Sequence, residues 1–187
     1  MDILGVSCFY HDSAAALLRD GELVAASMEE RLSRKKHDNG FPTQAVDFCL
    51  QRGGISGPDL DYVVFYEKPM VKVGRILQTA LGTFPRSWDF WREAVTAYVS
   101  EKFWIKSLLQ RQLGVQPNQI LFCDHHMSHA ASAFFASPYE EAAVMTIDGV
   151  GEWTTTTMGH AKANWNGAGQ NTIDLFWEQR FPHSLGL

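Results

Sequence analysis

Short apolar runs separated by turn signals open the chain. The runs are Ile3 to Ser7, Ser13 to Leu18 and Glu22 to Met28. Asp20-Gly21, between the second and third runs, is typical of a two-residue hairpin turn. The pattern predicts three antiparallel strands.

Helical periodicity then alternates with further strand-like runs. Thr43 is predicted as the N-cap of a helix that reaches about Arg52 and ends at Gly53-Gly54. The other predicted helices are Val71–Leu81, Trp88–Leu113 and His125–Phe135, and the other predicted strands are Leu60–Tyr66, Gln119–Cys123, Ala142–Ile147, Trp153–Met158 and Ile173–Trp177.

The opening pattern recurs near the end of the sequence. The apolar strand Ala143–Ile147 is followed by the polar turn Asp148–Glu152, a second strand, a hairpin loop at 163–171 and a third strand. This order predicts an internal repeat of architecture. Residues 181–187 are typical of a helix start, with Ser184 or Pro182 near the N-cap, and we therefore expect a fragment of a longer protein.

Composition and charge narrow the class of protein. The 187 residues are 20% charged and 45% hydrophobic, which is globular composition and excludes a disordered or fibrous chain. A net charge of −5 argues against a nucleic-acid partner. No apolar run approaches the roughly 20 residues that span a bilayer. The start of the chain lacks the positive region of a signal peptide, so we expect no signal peptide. We also expect no membrane partner.

Three cysteines lie far apart, at positions 8, 49 and 123. Their odd number and spacing argue against a disulfide framework and against a cysteine-based zinc site. We therefore expect a cytoplasmic protein.

A histidine cluster is the densest chemical signal. His125 and His129 are four residues apart, so on a helix both imidazoles share one face and suit a single metal ion. Two histidines do not complete a site, and Asp148, at the end of a predicted strand, is the expected carboxylate. The alternative is a surface cluster at a helix start that Asp124 caps.

The turn after the sixth predicted strand is the second signal. Gly149, Gly151 and Glu152 follow Asp148, and glycines there allow the backbone to approach a phosphate and form an anion nest. No dinucleotide-binding or Walker A fingerprint is present. A tight hairpin turn is the alternative.

Two polar segments in the first half could also carry chemistry. His11 could act as a general base or an oxyanion donor oriented by Asp12, or both could belong to a polar turn. The charged stretch Glu29–Asp38 is either a solvated face or a basic loop that holds an anionic group.

Together these motifs resemble the O-carbamoyltransferases, the family of the nodulation carbamoyltransferase and of the antibiotic-tailoring carbamoyltransferases of cephamycin and tobramycin biosynthesis. The segments that carry the resemblance, in chain order, are His11–Ala15, Glu30–Asp38, Gly40–Pro42, His125–Phe134, Asp148–Glu152 and Phe181–Leu187.

The resemblance implies an α/β fold with the duplicated actin/Hsp70-type (ribonuclease H-like) core of the Kae1 proteins. Residues 1–140 would form the first lobe and 141–187 the start of an incomplete second lobe. In the family, a C-terminal YrdC-like domain, absent here, makes carbamoyl adenylate from carbamoyl phosphate and ATP. The Kae1-like domain transfers the carbamoyl group to a hydroxyl of a small-molecule or sugar acceptor. We expect the isolated chain to be inactive and its uncovered apolar surface to favour self-association.

The resemblance also assigns roles to residues. The metal, iron(II) or another divalent ion beside the nucleotide, would be held by His125, His129 and Asp148, with a further acidic ligand from beyond residue 187. His11 would act as the base for the acceptor hydroxyl, with Asp12 in support. The residues expected to line the acceptor or phosphate entrance are Arg31, Arg34, Lys36 and His37, and those expected at the nucleotide phosphates are Gly149, Gly151 and Glu152.

Two other functions stay open at this point. A Kae1-like tRNA threonylcarbamoyl transferase would share the histidine pair, although the acidic net charge argues against tRNA as a partner. A non-catalytic nucleotide-binding lobe would need no metal, and its histidines would be structural.

Overall fold

Two β-meanders organise the protein, for which a computed structural model describes residues 1–86, 88–89, 92, 104–165 and 170–186. The chain divides into two compact units. The first unit comprises Met1–Tyr66 and Pro85–Phe122, and the second comprises Glu67–Phe84 and Cys123–Leu187. The lobe boundary at residue 140 stays a prediction of the resemblance.

The first unit contains a five-stranded mixed sheet in the order β3-β2-β1-β4-β5. Its strands are β1 (Asp2–Ser7), β2 (Ala14–Arg19), β3 (Glu22–Met28), β4 (Tyr62–Phe65) and β5 (Ile120–Phe122). The first three strands pair antiparallel, as predicted, and β4 lies parallel to both β1 and β5. Asp20 and Gly21 both have positive φ, 52° and 88°, which is the backbone that a two-residue hairpin turn needs.

The helices of the described ranges are α1 (Glu29–Ser33), α2 (Thr43–Gly53), α3 (Pro69–Thr83), α4 (Ile105–Leu113) and α5 (His125–Phe134). Helices α2 and α4 contribute to the apolar core of the first unit. Its most buried members are Leu4, Cys8, Leu17, Ala45, Cys49, Leu60, Val63, Phe65, Ile105 and Leu109. Among these helices, none combines the length and the apolar character that crossing a bilayer requires.

The second unit contains the recurring meander. Strands β6 (Glu141–Ile147), β7 (Thr154–Lys162) and β8 (Thr172–Arg180) pair antiparallel in that order. Helix α5 packs on this sheet through Phe134, against Ala161 of β7. The sheets with packed helices confirm the α/β class, and the second meander agrees with a duplicated core.

Helix α2 corrects the predicted cap. Thr43 is the first helical residue and not the N-cap, which is Pro42 and forms no side-chain cap bond. The buried carboxylate of Glu29 accepts hydrogen bonds from the backbone amides of Gln44 (3.1 Å) and Ala45 (2.8 Å). A side chain 15 residues upstream therefore satisfies the amides that a local cap would serve.

The described residues 181–186 of the predicted helix start form turns and irregular backbone and include no helical residue. The Ser184 hydroxyl accepts a hydrogen bond from the Gly186 amide at 3.1 Å, the type of contact that an N-cap residue makes. The same hydroxyl lies in donor geometry to the backbone carbonyls of Asp148 (3.1 Å) and Gly149 (2.9 Å), so Ser184 also makes tertiary contacts.

Two further predictions fall partly outside the described residues. Of the predicted helix Trp88–Leu113, the segment Ile105–Leu113 is helical, while residues 87, 90–91 and 93–103 are not described. Residues 166–169 of the predicted loop are not described either, and the Asn164 amide donates to Asn171 Oδ1 across it at 2.7 Å. All three cysteines are free thiols, as predicted.

Candidate metal centre

Three potential metal donors converge in the second unit. His125 Nε2 lies 2.8 Å from Asp148 Oδ2 and 3.1 Å from His129 Nε2. His129 Nε2 lies 3.9 Å from the same Asp148 oxygen. The structure therefore brings together the two histidines and the aspartate that the sequence analysis grouped.

Secondary structure accounts for this convergence. Helix α5 begins at His125, so one turn places His129 on the same face. Asp148 directly follows strand β6, and its Oδ1 accepts a hydrogen bond from the Gly149 amide at 2.7 Å. This bond leaves Oδ2 facing the two imidazoles.

The charges suit a cation. Burial lowers the pKa of His125, the neighbouring His129 lowers it further, and His125 is therefore neutral, the form of imidazole that binds metals. For Asp148, burial acts to raise the pKa, but the hydrogen bonds from His125 and from the Gly149 amide outweigh it and the pKa falls below the usual range. The centre thus presents an ionised carboxylate beside imidazole nitrogens.

These residues fit a divalent metal ion. Metal–ligand bonds to histidine and carboxylate are about 2.0–2.2 Å. Donor atoms 2.8 to 3.9 Å apart can each reach one ion at such a distance. Two imidazoles and one carboxylate also form the donor set of non-haem iron(II) sites, and they leave coordination positions open.

His126 faces away from this centre, as the helical spacing predicts. Its Nε2 donates to the Thr154 carbonyl at 2.7 Å, and its Nδ1 accepts from the Thr146 hydroxyl at 2.5 Å. Thr146 Oγ1 lies 2.6 Å from Thr157 Oγ1, within hydrogen-bond distance. Burial lowers the pKa of His126, which keeps the ring neutral and able to accept. No local motif in the sequence marks this structural role of His126.

The backbone amides of the turn that contains Gly149 and Gly151 form hydrogen bonds to neighbouring residues of the chain. The Gly149 amide donates to Asp148 Oδ1, and the Gly151 amide donates to the Thr154 carbonyl at 3.3 Å. These bonds favour the hairpin turn over the anion nest. A phosphate contact for Gly149 and Gly151 stays a prediction.

Glu152 is turned inward. Its side chain is buried and accepts a hydrogen bond from the backbone amide of Lys68. Burial raises the pKa of Glu152, and backbone hydrogen bonds from Lys68 and His125 partly oppose that rise. Lys68, which no local motif in the sequence marks, also pairs through Nζ with both Asp124 oxygens at 2.8 and 2.7 Å.

A cavity of about 480 Å³ adjoins the start of helix α5. Its lining includes Asp124, His125, Trp153, Glu178 and Arg180. This volume lies within the usual range of small-molecule sites, about 300–1,000 Å³. Space for a ligand therefore exists beside the donor cluster.

The candidate base lies in the first unit. His11 is exposed, and its ring centroid is 4.0 Å from that of Tyr10. Asp12 Oδ1 lies 3.2 Å from His37 Nδ1, so the described hydrogen bond of Asp12 goes to His37 and not to His11. The backbone amide of His37 donates to Glu30 Oε2 at 3.2 Å.

The predicted basic residues lie in helix α1 and in the segment that follows it. Arg31, Arg34, Lys36 and His37 are all exposed, and Arg34 ends the helix in the left-handed conformation, φ 61°. The structure therefore places these cations at the surface of the first unit. Their role at an acceptor or phosphate entrance stays a prediction.

Comparison with known proteins gives one family match. The family model for the carbamoyltransferase N-terminus matches residues 2–187. The uncharacterized protein sll1178 of Synechocystis is 50% identical over 99% of this chain. Nodulation protein NolNO of Sinorhizobium fredii is 34% identical over 79% of it.

This chain is shorter than those relatives. The matched regions span 30% of the Synechocystis protein and 21% of NolNO. Among solved structures, YeaZ from Pseudomonas aeruginosa is similar over 95% of this chain and 71% of its own, with a TM-score of 0.45 and 15% identity.

Proposed function

Because this chain belongs to the carbamoyltransferase N-terminus family, we propose that it forms the metal-holding part of an O-carbamoyltransferase. The family that the motifs predicted is confirmed. The specific activity is our proposal, and the convergence of His125, His129 and Asp148 carries it.

In this proposal the two imidazoles and the Asp148 carboxylate hold iron(II) or another divalent ion, beside ATP or carbamoyl adenylate. When bound, such an ion offsets negative charge on the nucleotide phosphates and polarises nearby oxygens. The cavity beside helix α5 is the space that we assign to the nucleotide.

The transfer step needs a base and a leaving group. His11 accepts the proton of the acceptor hydroxyl as that oxygen forms a bond to the carbamoyl carbon. The bond from this carbon to the phosphate oxygen breaks, and adenylate leaves with the electron pair. The products are an O-carbamoylated small molecule or sugar and AMP. Exposed cations at Arg31, Arg34 and Lys36 would attract an anionic acceptor or carbamoyl phosphate.

Metal content tests the centre directly. We expect near-stoichiometric iron in the chain purified anaerobically, and its loss in the His125→Ala/His129→Ala variant, because two of the three donors disappear. Inductively coupled plasma mass spectrometry measures the iron content of the wild-type chain and of the double variant.

A matched control is His160→Ala. His160 also pairs with a carboxylate of the second unit, Glu141 at 2.8 Å, but lies outside the donor cluster. Its removal should leave the metal content unchanged. Equal metal content in the double variant and the wild type would contradict the proposed centre.

The role of His11 is tested in a full-length carbamoyltransferase that contains this chain. His11→Ala should abolish carbamoyl transfer while carbamoyl adenylate still forms, because the base acts only after activation. Separate assays of the adenylate and of the carbamoylated product distinguish the two steps. Loss of both activities would refute this division of labour.

A further inference from the structure

We propose that Gly151 and Glu152 are positioning residues that set the geometry of the metal centre by holding the start of helix α5. The inference rests on the proposed function, because it concerns the same three metal donors. It gives this Gly-Glu pair a role that is different from a phosphate contact.

Gly151 lies directly against the rings of two histidines. A Cβ atom at this position would lie 2.8 Å from Cδ2 of His125 and 3.1 Å from Nε2 of His126. The same Cβ would lie 3.1 Å from the Thr154 carbonyl oxygen, and real Cβ atoms essentially never approach other atoms within 3.0 Å, so any side chain here forces the His125 ring or the turn itself to shift. Cδ2 is bonded to Nε2, the proposed donor atom, and a shift of one moves the other. Glycine is therefore needed at this position because a larger residue leaves too little space beside His125, a proposed metal ligand.

Glu152 holds the backbone of the same histidine. Its carboxylate accepts hydrogen bonds from the amides of Lys68 and His125. Lys68 immediately precedes helix α3 and His125 is the first residue of α5, so both amides belong to helix starts, where amides lack partners within the helix. One buried carboxylate thus joins two helix N-termini, where negative charge is favourable.

Lys68 completes this arrangement. Its amide is bound to Glu152, and its ammonium is bound to both oxygens of Asp124, the N-cap of α5. The first turn of α5 is therefore fixed by its backbone, by its N-cap and by the packing of its rings on Gly151. Groups that orient metal ligands in this way typically change metal affinity by roughly 10- to 100-fold when they are removed.

Cobalt(II) is a suitable probe, because its visible absorption reports both affinity and coordination geometry. We expect Gly151→Ala to weaken Co²⁺ binding by roughly 10- to 100-fold and to change the absorption bands. Gly74→Ala is the matched control: it lies in helix α3 of the same unit, and a Cβ there meets nothing within 4 Å. This control should bind Co²⁺ as the wild type does.

The carboxylate is tested in the same titration. Glu152→Ala should weaken Co²⁺ binding to a similar degree, and Glu152→Gln, which keeps the shape and a carbonyl acceptor, should recover part of the affinity. Glu29→Ala is the control, because Glu29 is an equally buried carboxylate that bonds the start of helix α2 in the first unit. It should lower thermal stability and leave Co²⁺ affinity unchanged.

Each outcome decides between the two proposals. The inference would be overturned, and the metal centre would stand, if folded Gly151→Ala and a folded Glu152 variant (Glu152→Ala or Glu152→Gln) bound Co²⁺ with the affinity and absorption spectrum of the wild type. A wild-type chain that binds no Co²⁺ would overturn the proposed centre and this inference together. Circular dichroism identifies any variant that fails to fold. If Glu152→Ala does not fold, the Co²⁺ titrations of Gly151→Ala and Glu152→Gln test the inference.

Discussion

At the scale of single residues, the first turn of helix α5 carries histidines with two different roles. His125 and His129 present nitrogens to the metal centre, while His126 between them is buried and bonds the sheet beneath. The hydroxyls of Thr146 and Thr157 continue this bond into strands β6 and β7. The structural histidine thus anchors the helix that carries the two candidate ligands.

The anchoring role of His126 predicts a loss of stability on truncation. His126→Ala removes one hydrogen-bond partner from the Thr154 carbonyl and one from the Thr146 hydroxyl, while the Gly151 amide and the Thr157 hydroxyl remain as their other partners. Each lost hydrogen bond costs about 0.5–1.5 kcal/mol. We expect the free energy of unfolding to fall by about 2 kcal/mol, as measured by urea denaturation without metal.

The exposed His160→Ala variant serves as the reference for this measurement. Its free energy of unfolding should stay within about 0.5 kcal/mol of the wild type, as for most surface substitutions. A similarly small effect of His126→Ala would show that the hydrogen bonds of this ring contribute little to stability.

At the scale of elements, helix starts in this protein depend on distant carboxylates. Glu29 accepts hydrogen bonds from backbone amides at the start of helix α2, and Glu152 accepts them from amides at the starts of helices α3 and α5. Neither carboxylate belongs to the helix that it stabilises. A local motif search for capping residues therefore finds Thr43, whose side chain does not cap helix α2.

Helix α2 allows the two kinds of cap to be compared. Thr43→Ala should change the free energy of unfolding by less than about 0.5 kcal/mol, because the Thr43 side chain is exposed and caps nothing. Glu29→Ala should lower it by about 1–2 kcal/mol, the usual effect of losing a helix cap. Chemical denaturation of the two variants in parallel measures the difference, and a larger effect at Thr43 would contradict the structural assignment.

At the scale of the whole molecule, one apolar row stands out on the sheet of the second unit. Met145 pairs with Met158, and Met158 pairs with Trp177, so the row crosses all three strands. The three side chains are 51%, 40% and 44% exposed. Contiguous exposed apolar surface of this kind favours association.

We predict that this row contributes to self-association of the chain, with a second copy as its partner. Met158→Lys places a charge in the centre of the row and should shift the chain towards monomer in sedimentation velocity at increasing concentration. Leu23→Lys is the control, since Leu23 is an exposed apolar residue on strand β3 of the first unit. An equal shift in both variants, or none in either, would contradict a role for the row.

Local sequence was sufficient for much of the fold. The alternation of apolar and polar residues and the Asp20-Gly21 turn predicted the first meander, and the strands of the second followed from the same pattern. Periodicity works here because side chains two apart in a strand, or four apart in a helix, share a face whatever the rest of the chain does.

The candidate site was predictable to the same extent. The spacing of His125 and His129 is a local property, and the position of Asp148 after a strand made it the expected third donor. The motifs in chain order were enough to predict the family.

Tertiary structure alone decided how these residues are held. The bond from Lys68 to Glu152 joins positions 84 residues apart, and the bonds from Ser184 reach back 35 and 36 residues to the Asp148-Gly149 turn. The close approach of Gly151 to His125 likewise depends on how the turn packs against helix α5. Such contacts leave no periodic trace, because they depend on which buried amides lack a partner after the elements have packed.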